Sequence, residues 1–225
     1  MRKIRLYAVA ALIFAAAFAA LTISVATVDV KTAANGGRIG LGTLNIAVYD
    51  YFGENPVWDM ISDVLLAVAF LQATAFFALF AAQAIKRKSP LKADGVLYLL
   101  LCAYAAVALF YVLFELLPVN YRPLAGGEND SSYPSAHTLI GATVCGTGIP
   151  LILKYVKNAR LGGFAVVLSV AVTAINVAGR LFSGMHWLTD IVGGALLSAA
   201  ITFSFAAACC KIRMSAEKKE NEQKK

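Results

Sequence analysis

Two residues near the end of the chain have a spacing that suits catalysis. His186 and Asp190 are four residues apart, so on a helix their side chains share one face. The Asp190 carboxylate can then hold one nitrogen of the His186 ring, fixing its tautomer and stabilising its protonated form, while the other nitrogen stays free. Hydrolytic triads use such a pair, although no serine nucleophile is required here. The structural alternative is an interfacial pair at a helix start, where the helix dipole favours Asp190.

A second polar group lies where a proline and a serine precede an apolar stretch, at residues 133–138. Ser135 can cap a helix by accepting a hydrogen bond from the free N–H groups of its first turn. The same N–H groups and the helix dipole favour an anion, and Arg122 and Arg180 could complete its shell. Taken singly, such a serine is more often a cap, and an interfacial arginine more often extends to lipid headgroups. Their coincidence favours a phosphate site.

The elements that must position these residues are membrane spans. Of the 225 residues, 60% are hydrophobic and 15% are charged, whereas soluble domains have about 45–50% and about 25%. A helix that crosses the bilayer needs about 20 apolar residues. Six stretches without Asp, Glu, Lys or Arg meet that length, at residues 6–28, 64–85, 95–114, 134–153, 161–179 and 191–210.

We therefore predict an all-α polytopic membrane protein with six transmembrane helices in one bundle. Residues 1–213 form the predicted membrane domain, and residues 214–225 form a charged cytoplasmic tail that we expect to be disordered. The first stretch follows a basic N-terminus, as in a signal peptide. Its 23 uncharged residues exceed the core of a signal peptide, about 7 to 15 residues, so we interpret it as a retained span.

The distribution of basic residues predicts the orientation of the bundle. Sixteen of the 20 Lys and Arg residues lie at the two termini and in the second and fourth connections. Because basic residues concentrate on the cytoplasmic side, both termini are predicted to be cytoplasmic and the loops near 29–63, 115–134 and 180–190 to face outward. That topology brings several polar and ionisable side chains to one outer face. Because ionisable groups are costly in a membrane bundle, their convergence favours a functional site. The residues are Arg122, Ser135, His137, Arg180, His186 and Asp190.

The charge and the cysteines exclude other classes of site. The net charge of +7 comes from short basic runs beside the spans, a pattern that favours anionic membrane lipids over nucleic acid as the partner. The four cysteines lie in apolar stretches without metal-ligand spacing, so we interpret them as small buried residues. No metal site is predicted, and the oligomeric state is left open.

Three short motifs match a family pattern: Tyr121-Arg122-Pro123, then Pro134-Ser135-Ala136-His137, then Arg180, His186 and Asp190 separated by five and three residues. Together they resemble the type 2 phosphatidic acid phosphatase superfamily. The motifs span roughly residues 115–190, and the residue types, spacing, order and predicted membrane side all agree.

The resemblance implies a two-step phosphatase mechanism without metal or other cofactor. His186 would attack phosphorus to form a phosphohistidine, and Asp190 would orient and charge-stabilise His186. His137 would protonate the leaving oxygen and then activate water. The equatorial oxygens would be held by Arg122, Arg180, Ser135 and the backbone N–H groups around Ala136.

Three positions depart from the family pattern. Glu115 stands where a lysine usually precedes the arginine by seven residues, which should weaken phosphate binding unless Glu115 points away, is neutral or pairs with Arg122. Ala136 replaces a glycine, a change that a helix start tolerates. Gly179 stands where a serine often precedes Arg180, so one possible phosphate hydrogen bond is missing.

Two other classes of function were weighed against a phosphatase. An intramembrane serine protease of the rhomboid kind would use Ser135 as nucleophile, but the chain lacks a Gly-x-Ser-x-Gly-like setting and has paired arginines. A catalytically silent lipid-phosphate-binding or transport protein could share the plan, although transporters more often bind at the midplane between repeats. Soluble vanadium haloperoxidases of the superfamily are disfavoured by the six spans.

A site at the outer surface favours a lipid substrate whose phosphate lies at the headgroup level. Undecaprenyl diphosphate, phosphatidylglycerophosphate and phosphatidic acid all qualify, with the polyprenyl carrier as the leading hypothesis and the cell membrane as the expected location. Aromatic residues of the 29–63 loop could set selectivity or simply form an interfacial belt. Asn176, one turn before Arg180, could orient that arginine or form an ordinary interhelical hydrogen bond.

Overall fold

Helices account for most of the chain. The computed structural model describes residues 1–32, 36–123 and 130–223. A short 3₁₀ helix, Pro90–Lys92, precedes the fourth of the α-helices. The other elements of the described residues are α1 (Arg2–Thr27), β1 (Lys31–Thr32), β2 (Arg38–Ile39), α2 (Gly42–Phe52), α3 (Pro56–Lys86), α4 (Gly95–Leu116), α5 (Ala136–Tyr155), α6 (Ala159–Phe182) and α7 (Leu188–Gln223).

Six of these helices, α1 and α3 to α7, are long and apolar enough to cross a bilayer. Their large apolar side chains cover much of the outer surface of the bundle, where lipid replaces water as the solvent. The predicted all-α, six-span fold is therefore confirmed, and the protein is a multi-pass membrane protein. The orientation of its termini stays a prediction.

The second span starts earlier than the uncharged stretch suggested, at Pro56 instead of residue 64. The Asn55 side chain caps this helix by accepting hydrogen bonds from the N–H groups of Val57 and Trp58, and proline at the first helical position suits the start. Asp59 and Asp63 therefore lie in the first turns of α3. The absence of charge from residues 64–85 predicts that both aspartates lie in a loop, which is wrong because α3 begins at Pro56.

The most buried of the six spans is α5, which packs against α3, α6 and α7, while α1 and α4 pack against α7. Small residues allow close contact between membrane helices, since no hydrophobic effect drives them together within lipid. At Gly194 of α7, an added Cβ would lie 2.8 Å from the carbonyl oxygen of Ser135. This close contact fixes the start of α5 against the start of α7.

The segment between α1 and α3 forms a small cap at the end of the bundle where α5 and α7 begin. Its two strands pair antiparallel, Lys31 with Ile39 and Thr32 with Arg38, and α2 contacts α7. Beneath this end lies an apolar cluster that includes Phe18, Val25, Val107, Tyr133, Leu139 and Leu197.

The C-terminal segment that we predict to be a charged tail forms the end of the last helix. The last helix continues to Gln223 without a break. Two pairs at helical i,i+4 spacing accompany it, Arg213 with Glu217 at 2.9 Å and Lys218 with Glu222 at 3.7 Å. Such pairs support an exposed helix. The domain boundary at residue 213 stays a prediction.

Candidate functional site

The His186 and Asp190 side chains lie side by side and are buried where α7 begins. Nδ1 of His186 is 3.7 Å from Oδ2 of Asp190, which is within ion-pair range but longer than a hydrogen bond. Oδ1 of Asp190 accepts a hydrogen bond from Nδ2 of Asn120 at 3.0 Å, and Oδ2 accepts one from the backbone N–H of Trp187 at 3.1 Å. Both oxygens are therefore fixed next to the imidazole.

Asn120, which the sequence analysis missed, connects three parts of the site. Its Oδ1 accepts a hydrogen bond from the Gly40 N–H at 3.0 Å, while its backbone carbonyl accepts one from Ser132 at 2.9 Å. Because Asn120 is fully buried, these bonds tie the cap segment and the α4–α5 loop to Asp190. The only signal in the sequence is its position two residues before Arg122.

A second buried asparagine, Asn45 on α2, binds Thr189, the residue of α7 that precedes Asp190. Its Oδ1 accepts from the Thr189 N–H at 3.2 Å, and its Nδ2 donates to the Thr189 hydroxyl at 2.8 Å and to the Gly40 carbonyl at 2.7 Å. A buried amide whose donors and acceptors are satisfied rigidifies its surroundings. The cap segment therefore helps to fix the start of α7.

Ser135 caps α5 and also docks on α7. Its hydroxyl oxygen accepts from the Thr138 N–H at 3.5 Å, and its own N–H donates to the Asp190 carbonyl at 2.9 Å. Ala136 is the first helical residue, so its N–H is one of those without an intrahelical acceptor. The preceding Tyr133 is held by a 2.8 Å hydrogen bond between its hydroxyl and that of Thr22.

Two arginines from different elements approach His186. Arg180, at the end of α6, is 2% exposed, and its Nη1 lies 2.6 Å from Oδ1 of Asp59. Arg122 lies in the α4–α5 loop and is close enough for its charge to interact with those of Arg180 and His186. The buried Nε atoms of both arginines have no hydrogen-bond partner within the described residues.

His137, in the first turn of α5, completes the group. Its Nε2 lies 2.8 Å from Oδ1 of Asp63, and its charge interacts with that of Arg180. Its backbone carbonyl accepts a hydrogen bond from Nδ2 of Asn176 at 2.9 Å. Asn176 thus forms the interhelical hydrogen bond that was one of its two predicted roles. The structure brings all the predicted site residues together and adds Asp59 and Asp63.

Burial controls the charge of His186. It lowers the pKa of His186 from 6.5 to about 4; the Asp190 carboxylate opposes this shift, whereas the positive charges of Arg180 and Arg122 add to it. The imidazole is therefore neutral at pH 7 and keeps a lone pair on one ring nitrogen. A neutral imidazole beside two cations can act as a nucleophile toward an anionic phosphorus centre.

The three departures from the family pattern have distinct surroundings. Glu115 is exposed in the last turn of α4 and forms no ion pair within the described residues. Ala136 takes a regular helical position. At Gly179, an added Cβ would lie 2.5 Å from the Ser62 hydroxyl oxygen, so a larger residue there would displace that hydroxyl.

Aromatic side chains of α2 and α3 contact Trp187 and Phe182, which lie next to His186 and near Arg180 in the chain. The ring of Tyr49 lies 5.5 Å from that of Trp187, and Phe52 and Trp58 each lie 5.2 Å from Phe182. This arrangement suits both predicted roles, selectivity and membrane anchoring. Among the residues that the structure describes, no three His, Cys, Asp or Glu side chains are grouped to hold a metal ion.

Comparison with known proteins agrees with this geometry. Residues 114–209 match the model of the PAP2 superfamily, and they include every residue of the predicted site. This part of the chain belongs to the PAP2 superfamily. The family predicted from the three motifs is therefore confirmed.

The fold of this chain is similar to a crystal structure of a transmembrane PAP2-type phosphatidylglycerolphosphate phosphatase from Bacillus subtilis. The TM-score is 0.67 at 15% sequence identity, and the match covers 90% of this chain and 97% of the other. A comparison with curated protein sequences found no match. At this identity the structural likeness concerns the fold alone.

The His186 environment can be tested by NMR, because the chain has only two histidines. In a His137→Gln variant labelled with ¹³C-histidine, the remaining imidazole should titrate with a midpoint of about 4. Replacing Asp190 by Asn should move the midpoint lower, since the carboxylate favours the protonated ring. Circular dichroism at each pH would confirm that the protein is folded. A midpoint near 6.5 would show that His186 is solvated, contrary to the structure.

Proposed function

We propose that this protein is a membrane phosphatase that removes phosphate from a lipid phosphomonoester or diphosphate through a phosphohistidine at His186. One observation carries the proposal: four buried nitrogen atoms of neighbouring side chains have no hydrogen-bond partner within the described residues. They are Nε of Arg122, Nε of Arg180 and both ring nitrogens of His186. Buried polar atoms in native proteins are normally paired. A phosphate group would offer acceptor oxygens to the arginines and phosphorus to His186.

The proposed reaction has two balanced steps. In the first, Nε2 of His186 attacks phosphorus, the bond from phosphorus to the leaving oxygen breaks, and His137 gives that oxygen a proton. In the second, water attacks the phosphohistidine, His137 takes a proton from it, and the nitrogen–phosphorus bond breaks to release inorganic phosphate. The Asp190 carboxylate lies beside Nδ1 of His186, where it stabilises the positive charge that develops on the ring.

The groups proposed to hold phosphate are preorganised by the fold. Arg180 is buried and fixed by Asp59, while Ser135 and the N–H of Ala136 lie at the positive end of α5. Donors fixed before the reaction stabilise transition-state charge without reorganisation. Because Glu115 is exposed and forms no described ion pair, it places no carboxylate among these donors.

Lipid phosphates are the proposed substrate class because the site lies at helix ends of a membrane bundle. The phosphate would reach the site from the headgroup layer while the apolar tail stays among the lipids. Undecaprenyl diphosphate, phosphatidylglycerophosphate and phosphatidic acid fit this description, and the polyprenyl diphosphate stays our leading hypothesis. The Bacillus subtilis protein is named as a phosphatidylglycerolphosphate phosphatase, which supports the inclusion of phosphatidylglycerophosphate among the substrates to be tested.

The activity can be tested with purified protein in detergent and a panel of these three lipids, with chelator present. Wild-type protein should release phosphate without added metal. His186→Ala should lower kcat by about 10³-fold or more, because it removes the nucleophile. Ser135→Ala should cost about 10²-fold, because it removes one hydrogen-bond donor to the phosphate and leaves the nucleophile in place.

The opposite ranking of these two variants, with peptide cleavage, would support a serine protease and contradict the proposal. Lipid-phosphate binding without turnover would identify a catalytically silent protein instead. Activity that requires added metal would contradict the metal-independent mechanism. Circular dichroism and size-exclusion profiles of each variant would show whether a loss of activity reflects misfolding.

The proposed extracytoplasmic position of the site rests on the distribution of Lys and Arg. The test introduces Asp50→Cys or Lys157→Cys into a chain whose four native cysteines are replaced by alanine. Asp50 lies in α2, Lys157 lies between α5 and α6, and both positions are exposed. An impermeant maleimide should label Asp50→Cys in intact cells, but Lys157→Cys only after permeabilisation. The reverse pattern would place the site in the cytoplasm.

A further inference from the structure

We infer that Asp63 is a positioning residue for His137, so that the site contains a second histidine–carboxylate pair besides His186 and Asp190. This inference rests on the proposed function, because it assigns Asp63 a role in the proton transfer made by His137. Asp63 belongs to α3 and lies outside residues 114–209, which match the PAP2 superfamily model. It therefore extends the site to a span that the three motifs do not include.

The geometry of the pair is that of a direct hydrogen bond. Oδ1 of Asp63 is 2.8 Å from Nε2 of His137, a typical distance for a charge-assisted contact. Within the described residues, Nδ1 of His137 has no hydrogen-bond partner. A carboxylate that holds one ring nitrogen fixes the tautomer and leaves the other nitrogen for proton transfer. The His137 main chain is fixed separately, by Asn176.

The close approach of α3 to α6 places the carboxylate. Gly179 of α6 faces Ser62 of α3, and an added Cβ at Gly179 would lie 2.5 Å from the Ser62 hydroxyl oxygen and 3.5 Å from the Trp58 carbonyl oxygen. The Ser62 hydroxyl donates a hydrogen bond to the Trp58 carbonyl at 2.8 Å. Asp63 follows Ser62 in the chain, so the contact between α3 and α6 lies next to the residue that pairs with His137.

Asp59 and Asp63 are one helical turn apart but contact different partners. Asp59 pairs with Arg180 at 2.6 Å, and Asp63 pairs with His137 at 2.8 Å. The charges that act on His137 are those of Asp63, Asp59 and Arg180. Replacing Asp59 should therefore disturb the phosphate-binding arginine, whereas replacing Asp63 should disturb the proton donor. This difference separates a specific effect of Asp63 from a general loss of negative charge.

The exposure of the pair makes it suitable for mutagenesis. The Asp63 side chain is 61% exposed and that of His137 is 25% exposed. An exposed ion pair adds little to stability, so Asp63→Asn should fold normally. Removal of the buried Asp190 carboxylate, by contrast, would leave the Asn120 side chain and the Trp187 N–H without their hydrogen-bond acceptor. A loss of activity in Asp63→Asn can thus be assigned to the site.

The test uses the leaving group, because protonation by a general acid matters most when the departing oxygen is a poor leaving group. The two probes are octyl phosphate, which loses an alkoxide, and 4-nitrophenyl phosphate, which loses a stable phenolate. The measured quantity is kcat/KM, which reports the steps up to the release of the alcohol. The variants are Asp63→Asn, Asp59→Asn and, as a control, Asp50→Asn on the exposed face of α2.

Asp63→Asn should lower kcat/KM for octyl phosphate by about 10- to 100-fold, which is part of the roughly 10²- to 10⁴-fold that a general acid contributes, and should change it several-fold less for 4-nitrophenyl phosphate. Asp59→Asn should affect both probes equally, mainly through KM, and Asp50→Asn should affect neither. An equal loss on both probes, no loss or a gain of activity for Asp63→Asn would overturn the inference. Wild-type protein that releases no phosphate from any probe or lipid would instead refute the proposed function.

Discussion

The fully buried carboxylate of Asp190 is the constraint on which the site depends. A charge in the apolar interior of a membrane bundle is tolerated only when its oxygens are paired. Asn120 and the Trp187 N–H provide that pairing, and His186 lies beside it at 3.7 Å. Because Asn120 also binds Gly40 and Ser132, the carboxylate joins the cap segment, the α4–α5 loop and α7 in one arrangement.

Much of this architecture can be predicted from the sequence, because lipid imposes simple rules. Length and the absence of charge identified the six spans. The four-residue spacing predicted that Asp190 lies beside His186, although His186 precedes α7 and is not itself helical. Asn120 and Asn45 could not be predicted, because their partners come from residues 70 and 144 positions away in the chain. A buried amide satisfied by distant contacts leaves no local pattern.

Asp59 and Asp63 show how the search for uncharged stretches failed. Both carboxylates were assigned to a loop because an isolated charge is costly in a span. In the structure, Arg180 and His137 pair with them, and Asn55 caps the helix before them. Charges neutralised across helices can belong to the first turns of a span. The C-terminal segment continues α7, where oppositely charged residues four positions apart form ion pairs.

The close helix contacts make the site a property of the whole bundle. Gly194 brings α7 against Ser135, and Gly179 brings α6 against Ser62. Four elements, α3, α5, α6 and α7, thus contribute side chains to one group of charges, together with Arg122 from the α4–α5 loop. Small residues within the spans therefore contribute to the site, because they allow polar residues of different helices to meet.

The central claim, covalent catalysis by His186, is tested most directly by locating phosphate on the quenched enzyme. Protein mixed with lipid phosphate for a single turnover, quenched in alkali and analysed by mass spectrometry should carry phosphate on His186. With 4-nitrophenyl phosphate, whose leaving group needs no general acid, the signal should be larger in a His137→Gln variant, because loss of the base slows attack by water. It should be absent from His186→Ala with either substrate. Phosphate on Ser135, or turnover without any phosphorylated residue, would contradict the account.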